Sequence, residues 1–168
     1  MFNFGIEGYR PQWLSGRSAV VAGHGRQLRA LVGRRLTHVW LVWDVEDDEW
    51  FPDCPVLLDF TGEQVEVNHH KFDDLSLTWN TVDPHQRVLW ADFDLQWRHD
   101  LRPEAQSLQG QVLEDVELIE WAGRDMAQGS VAVSFRFPHG QLTIANGLDQ
   151  NEITFGAPDS CYRRHSLR

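Results

Sequence analysis

The chain has 168 residues, 42% of them hydrophobic and 24% charged, the balance of a globular domain rather than a disordered one. Its 15 basic and 25 acidic residues leave a net charge of −10, which argues against a nucleic acid or an anionic membrane as partner, since both need a positive face. This length is expected to fold as one domain, 1–168.

The N-terminal residues Met1 to Arg17 lack a basic segment followed by an apolar run, so no secretory signal is read there. No stretch reaches the ~20 apolar residues needed to cross a bilayer. Two isolated cysteines, Cys54 and Cys161, form no CxxC pair and no disulfide framework. The expected compartment is the cytoplasm, with both thiols reduced. Lys71 is the one lysine among the 15 basic residues, a bias read as the codon usage of a GC-rich bacterial genome rather than as chemistry.

Helix signals are few. Arg26–Val32 is apolar at Leu28, Leu31 and Val32 and stops at Gly33. Pro103–Leu108 opens on a proline and stops before Gly110. The rest has period two, the strand signature. After a first strand through Val39 and Leu41, Val56, Leu58 and Phe60 share one face and Val65 and Val67 flank Glu66. Thr61-Gly62-Glu63 makes the hairpin turn between them. A short strand over Leu75–Trp79 follows. Val88–Trp97 reads as a connecting strand, with Phe93, Leu95 and Trp97 on one face. A second strand set includes Val131, Val133, Phe135 and Phe137, a turn at Pro138-His139-Gly140, then Leu142, Ile144 and Glu152–Phe155. The tail Ser160–Arg168 lacks periodicity and is expected to fray.

These two sets repeat at an offset of 77 residues. Gly33 aligns with Gly110, Leu36 with Leu113, Val39 with Val116, Leu41 with Leu118, Asp48 with Asp125, Val56 with Val133, Phe60 with Phe137 and Gln64 with Gln141, eight identities in 35 ungapped positions. The expected fold is therefore mainly β with few short helices: antiparallel sheets from two similar units (33–79 and 110–155) around a pseudo-twofold axis. With their helices the units span 26–79 and 103–155, joined by the strand at 88–97. Neither unit can bury its apolar face alone, so the two must pack together.

Three places could carry function. The acidic run Asp44, Glu46, Asp47, Asp48 and Glu49 ends at Trp50 and Phe51, a charged loop with an aromatic anchor suited to a basic protein partner. It lacks the glycine and closing glutamate of an EF-hand loop. Its acidity has no counterpart in Ala122–Gly129 of the second unit. Trp40 is directed outward, because Val39 and Leu41 take the core face, and is a further candidate contact. The second place is the His69, His70, Asp73, Asp74 cluster, with Glu66 nearby, whose residue types suit a divalent metal. If the strand from Val65 continues, however, His69 and His70 point to opposite faces. The third is a small-molecule pocket between the units, lined by some of the eight tryptophans. Asp92 and Asp94, two apart on the connecting strand, could act as paired carboxylates. No Walker A, GxSxG or dinucleotide motif occurs, and no cofactor is expected. In small size, acidity and lack of catalytic motifs the chain resembles bacterial immunity and antitoxin-like proteins, a compositional likeness that implies neutralisation of a basic partner. A non-enzymatic protein-binding module is thus the leading expectation, with homodimerisation through an edge strand or the Trp40 face also open.

Overall fold

A computed structural model describes residues 2–167. In chain order its elements are β1 (Trp13–Ser15), α1 (Arg17–Arg29), β2 (Leu36–Asp44), β3 (Glu49–Trp50), β4 (Val56–Phe60), β5 (Glu63–His70), β6 (Asp74–Trp79), β7 (Leu95–Arg98), α2 (Pro103–Leu108), β8 (Asp115–Trp121), β9 (Val131–Phe137), β10 (Gly140–Asn146), β11 (Asn151–Phe155) and β12 (Tyr162–Ser166). The protein is mainly β. Two antiparallel sheets face each other. Sheet one runs β1-β6-β5-β4-β2-β3, with β7 also on β2, and sheet two runs β11-β10-β9-β8-β12. No helix among the described residues is long and apolar enough to cross a membrane.

The core between the sheets follows from the period-two pattern. Val39, Leu41, Val56, Leu58, Val65, Val67, Leu75 and Leu77 of sheet one meet Val116, Leu118, Val131, Val133, Phe135, Leu142 and Ile144 of sheet two, all of them buried. Each sheet hides one face against the other, which removes from water the apolar surface that neither could bury alone.

The 77-residue offset reappears as hydrogen bonding. Gly33 N donates to Leu113 O at 2.9 Å, and its counterpart Gly110 N donates to Leu36 O at 2.7 Å. Leu36 N donates to Gln111 O at 2.8 Å, and Leu113 N to Arg34 O at 2.9 Å. Arg35 and Val112, themselves 77 residues apart, form an antiparallel bridge at the centre of these four bonds. Gly33 and Gly110 both adopt positive φ, +89° and +94°, a conformation that glycine reaches without the Cβ penalty. Helix α1 packs on β8 and β1, and α2 on β2 and β10. Both units share the meander order, β6-β5-β4-β2 and β11-β10-β9-β8. Their flanking strands differ, since β1, β3 and β7 border one meander and β12 alone borders the other.

Three local expectations are corrected. The first helix begins at Arg17, not Arg26, because Gly23 and Gly25 interrupt the helical pattern without breaking the helix once Val20, His24 and Leu28 are buried. The connecting strand is only Leu95–Arg98. Val88 contributes a single bridge to Leu95, and Asp92 takes positive φ in a turn, so Asp92 and Asp94 do not share a strand face. The tail does not fray: β12 pairs with β8 from Tyr162↔Trp121 to Ser166↔Glu117. Leu167 is buried after it, and Arg168 lies outside the described residues.

A second core lies on the outer face of sheet one. Trp40, Val42 and Leu57 project away from sheet two and are covered by Phe4, Ile6 and Tyr9 from the N-terminal segment and by Val82 and Val88. Polar residues of β5 fasten this cover. Gln64 Nε2 donates to Val82 O at 3.0 Å while Val82 N donates to Gln64 Oε1 at 3.3 Å. Glu66, fully buried, accepts from Thr78 Oγ1 at 2.7 Å, from Thr81 N at 3.2 Å and from the Thr81 hydroxyl. These bonds satisfy groups that burial would otherwise leave unpaired.

Candidate functional site

The acidic run folds as a tight turn between β2 and β3, closed by the cross-strand pairs Trp43↔Trp50 and Asp44↔Glu49. Asp44 is buried, and its Oδ1 accepts from Glu46 N at 3.1 Å and Asp47 N at 3.2 Å. It therefore holds the turn's shape and does not face a partner. Trp43 Nε1 donates to Asp48 Oδ1 at 3.0 Å. Glu46, Asp47, Asp48 and Glu49 are exposed, and none forms an ion pair among the described residues. The four carboxylates stand on a backbone fixed by their neighbours.

The expected aromatic anchors lie elsewhere. Phe51 is buried in the second core and Trp50 packs half-buried against the first. Trp40 does point away from sheet two, but it is buried and unavailable to a partner. Its Nε1 donates to Asp59 Oδ2 at 2.9 Å, and the rings of His38, His85 and His99 lie 5.2, 5.9 and 4.7 Å from it. The exposed apolar groups near the turn are Val45, Phe93, Leu89 and Phe2, 41%, 44%, 75% and 61% exposed. Phe2 and Phe93 are joined through Trp90, whose ring lies 5.5 Å from Phe2 and 6.4 Å from Phe93. Val45 N donates to Asp94 O at 2.9 Å, which sets Phe93 and its flanking Asp92 and Asp94 beside the acidic turn. These residues come from three distant stretches of chain, and no periodicity marks them in the sequence.

The histidine cluster diverges. β5 continues through His70, so its two histidines point to opposite faces. His69 is buried between the sheets, with Nδ1 3.0 Å from Asn151 Oδ1 and Nε2 3.0 Å from Val131 O. Asn151 Nδ2 lies 2.8 Å from both Cys54 O and Asn68 Oδ1 and 3.2 Å from Pro52 O, which orients its carbonyl toward His69. Burial pushes the His69 pKa down, against the two hydrogen bonds that raise it. A neutral ring can donate to only one of its two oxygen neighbours. His70 instead lies tilted against Trp13, with ring centroids 4.9 Å apart, and 3.6 Å from Asp149. Asp73 accepts from Ser15 Oγ at 2.8 Å, and Asp74 pairs with His70 across the β5–β6 hairpin. Glu66 is enclosed on the other face by threonine hydroxyls. Among the described residues no three His, Cys, Asp or Glu groups converge on a metal position. The candidate metal ligands His69, His70, Asp73 and Asp74 thus diverge, and His69 with Asn151 instead forms a structural link between the sheets.

The pocket expected between the units is also corrected, because that interface is filled by the apolar core, with Phe60 and Phe135 rings 6.3 Å apart. A groove of about 600 Å³ lies on the opposite, outer face of sheet two. Cys54 is buried and Cys161 exposed, both as free thiols. Burial raises the pKa of Cys54, assisted by the charge of Asp53, which keeps it a protonated thiol. No family model, curated protein or solved structure matches this chain.

Proposed function

We propose that the protein is a non-enzymatic binding module that docks a basic protein partner where the β2–β3 turn meets the apolar surface of Phe93, Leu89 and Phe2. The observation that carries this reading is the hydrogen bond from Val45 to Asp94, which joins an exposed aromatic group to four exposed carboxylates that form no ion pair among the described residues. An apolar centre with a charged rim is the anatomy of a protein interface. The carboxylates steer a basic partner into encounter and the apolar groups hold it. This is the division of labour expected of an inhibitor or immunity-type protein, and free thiols are consistent with action in the cytoplasm.

The test is affinity purification from the native host with wild-type protein, Glu46→Lys/Asp47→Lys and Phe93→Ala. The carboxylates of Glu46 and Asp47 make no bond within the fold, so the double variant should melt with the wild type. One basic protein should co-purify at fixed stoichiometry with the wild type, in a complex that weakens as salt rises. Charge reversal should abolish its capture, and Phe93→Ala should weaken binding by roughly tenfold, the effect of losing one interface anchor. A partner held equally by all three proteins defeats the proposal. So does a complex that contains only copies of this chain and survives the charge reversal.

A further inference from the structure

The outer face of sheet two, unlike that of sheet one, carries no covering segment over its groove. The groove exists because its floor is built of small side chains. Ala145 and Ser130 are buried at its base, and Thr154 of β11 lies beside them. Bulkier groups wall it: Trp121 at the end of β8, Tyr162 at the start of β12, and the exposed side chains of Met126 and Leu148 from two loops.

Trp121 and Tyr162 are directly opposed in the β8–β12 pairing. Their ring centroids lie 5.0 Å apart with the planes at 72°, so the two rings form a corner. Trp121 is held in place by its indole N–H, which lies 3.0 and 3.1 Å from the two oxygens of Asp125. The ionisable groups of the lining are three carboxylates, Asp125, Glu152 and Asp159, and the phenol of Tyr162, with no lysine, arginine or histidine among them. None of the three carboxylates is in an ion pair among the described residues. Two arginines of this face are committed further along it: Arg164 pairs with Glu117 at 2.9 Å and Arg136 with Glu114 at 2.8 Å. The negative field at the groove is felt by Tyr162, whose pKa is pushed up to about 12 by burial and then by the charges of Glu152 and Asp159.

A volume of this size suits a small molecule, and it couples apolar walls to a few convergent polar groups. Aromatic faces beside carboxylates are the chemistry that recognises an organic ammonium ion: the rings attract the cation and the carboxylates pair with it. We infer that the outer groove of sheet two is a binding site for a small aliphatic amine cation, held at the Trp121–Tyr162 corner and neutralised by Glu152 and Asp159. Its alkyl chain would lie over Ala145 and Thr154, between Met126 and Leu148. The site is distinct from the acidic turn of sheet one, and neither reading depends on the other.

Isothermal titration calorimetry on the full chain at low salt tests this, with putrescine, spermidine and choline as cations, butane-1,4-diol as the neutral analogue and glutamate as the anion. At least one cation should bind at one per chain, with affinity that falls as salt rises, and the diol and glutamate should give no heat. Glu152→Gln/Asp159→Asn should weaken binding at least tenfold. Those changes keep the side-chain shapes and should leave the melting temperature in place. Thr154→Phe, which fills the floor and spares every carboxylate, should also abolish binding. Glu46→Lys/Asp47→Lys should have no effect. The inference is overturned if no cation binds up to about 10 mM, if the diol binds as tightly as putrescine, or if the double amide variant binds unchanged.

Discussion

The outer faces of the two sheets make an instructive contrast. Both belong to meanders of the same strand order, yet one is roofed and the other is open. On sheet one, Trp40, Val42 and Leu57 form half of a second core beneath Phe4, Ile6 and Tyr9. At the positions 77 residues on, sheet two has Glu117, Ile119 and Ser134. Ile119 joins only a small cluster with Ala132 and Ala145, and Ser134 bonds with Thr143 at 2.9 Å. The inner faces are alike because each must bury the other. The outer faces are free to differ, so one has acquired a cover and the other a groove. Sheet one presents a surface beside its covered face, and sheet two a concavity on its bare one.

The largest effect should come from breaking the roofed face. Trp40→Ala removes a buried indole and its bond to Asp59, and should cost about 3–5 kcal/mol of stability, the usual range for a large aromatic truncated in a core. The corresponding Glu117→Ala loses one ion pair with Arg164 at the surface and should cost no more than about 1 kcal/mol. Urea denaturation of both variants measures the difference. Near-equal losses would mean that the outer face of sheet two is as tightly packed as that of sheet one.

A smaller effect tests the link between the sheets. Burial holds the His69 pKa below its ordinary value, so the unfolded chain takes up this proton more readily than the folded one. The stability contributed by neutral His69 is therefore fully present above pH about 6.5, the ordinary histidine value. It falls as the pH drops below that value, by about 1.4 kcal/mol per pH unit until the folded-state pKa is reached. His24, whose pKa burial also lowers, adds a slope of the same sign. Denaturation at several pH values should show a steeper acid loss for the wild type than for His69→Gln, and the difference isolates this one ring. Equal slopes would mean that His69 is charged in the folded protein, donating to both Asn151 and Val131.

Much of the fold was legible in the sequence because strands whose two faces differ in environment must alternate. Val131 to Phe137 and Val56 to Phe60 could be placed on their inner face by parity alone, and the same parity foretold that His69 and His70 would part if the strand continued. Pro103 marked its helix because proline suits a first turn. Three features left no such trace. The α1 helix starts nine residues early, through two glycines that disfavour helix until its buried side packs. β12, rich in Arg163, Arg164 and His165, is held at an edge by backbone pairing and the Glu117–Arg164 contact, so it needs no apolar alternation. The surfaces are assembled across the chain: Phe2, Leu89 and Phe93 on one, and Asp125, Glu152 and Asp159 on the other. Local pattern cannot bring together residues that only the tertiary fold makes neighbours. The acidic turn was visible as a charge run, whereas the burial of Asp44 beneath it follows from the turn's backbone geometry.

The finest comparison concerns the aligned aspartates Asp48 and Asp125. Each accepts an indole N–H at 3.0 Å, from Trp43 in one unit and from Trp121 in the other. The aspartates obey the 77-residue offset and the tryptophans miss it by one residue, so the two loops reach the same bond along slightly different paths. Asp125 Oδ1 also accepts from Ala127 N at 2.9 Å. Truncation to alanine should cost roughly 1 kcal/mol at Asp48, one exposed charge-assisted hydrogen bond, and somewhat more at Asp125. Near ultraviolet circular dichroism should register the loosened indole in both variants, and urea titration the energies. If Asp48→Ala is silent by both measures, Trp43 is held by its pairing with Trp50 alone, and the shared aspartate has kept its place in the repeat without keeping its work.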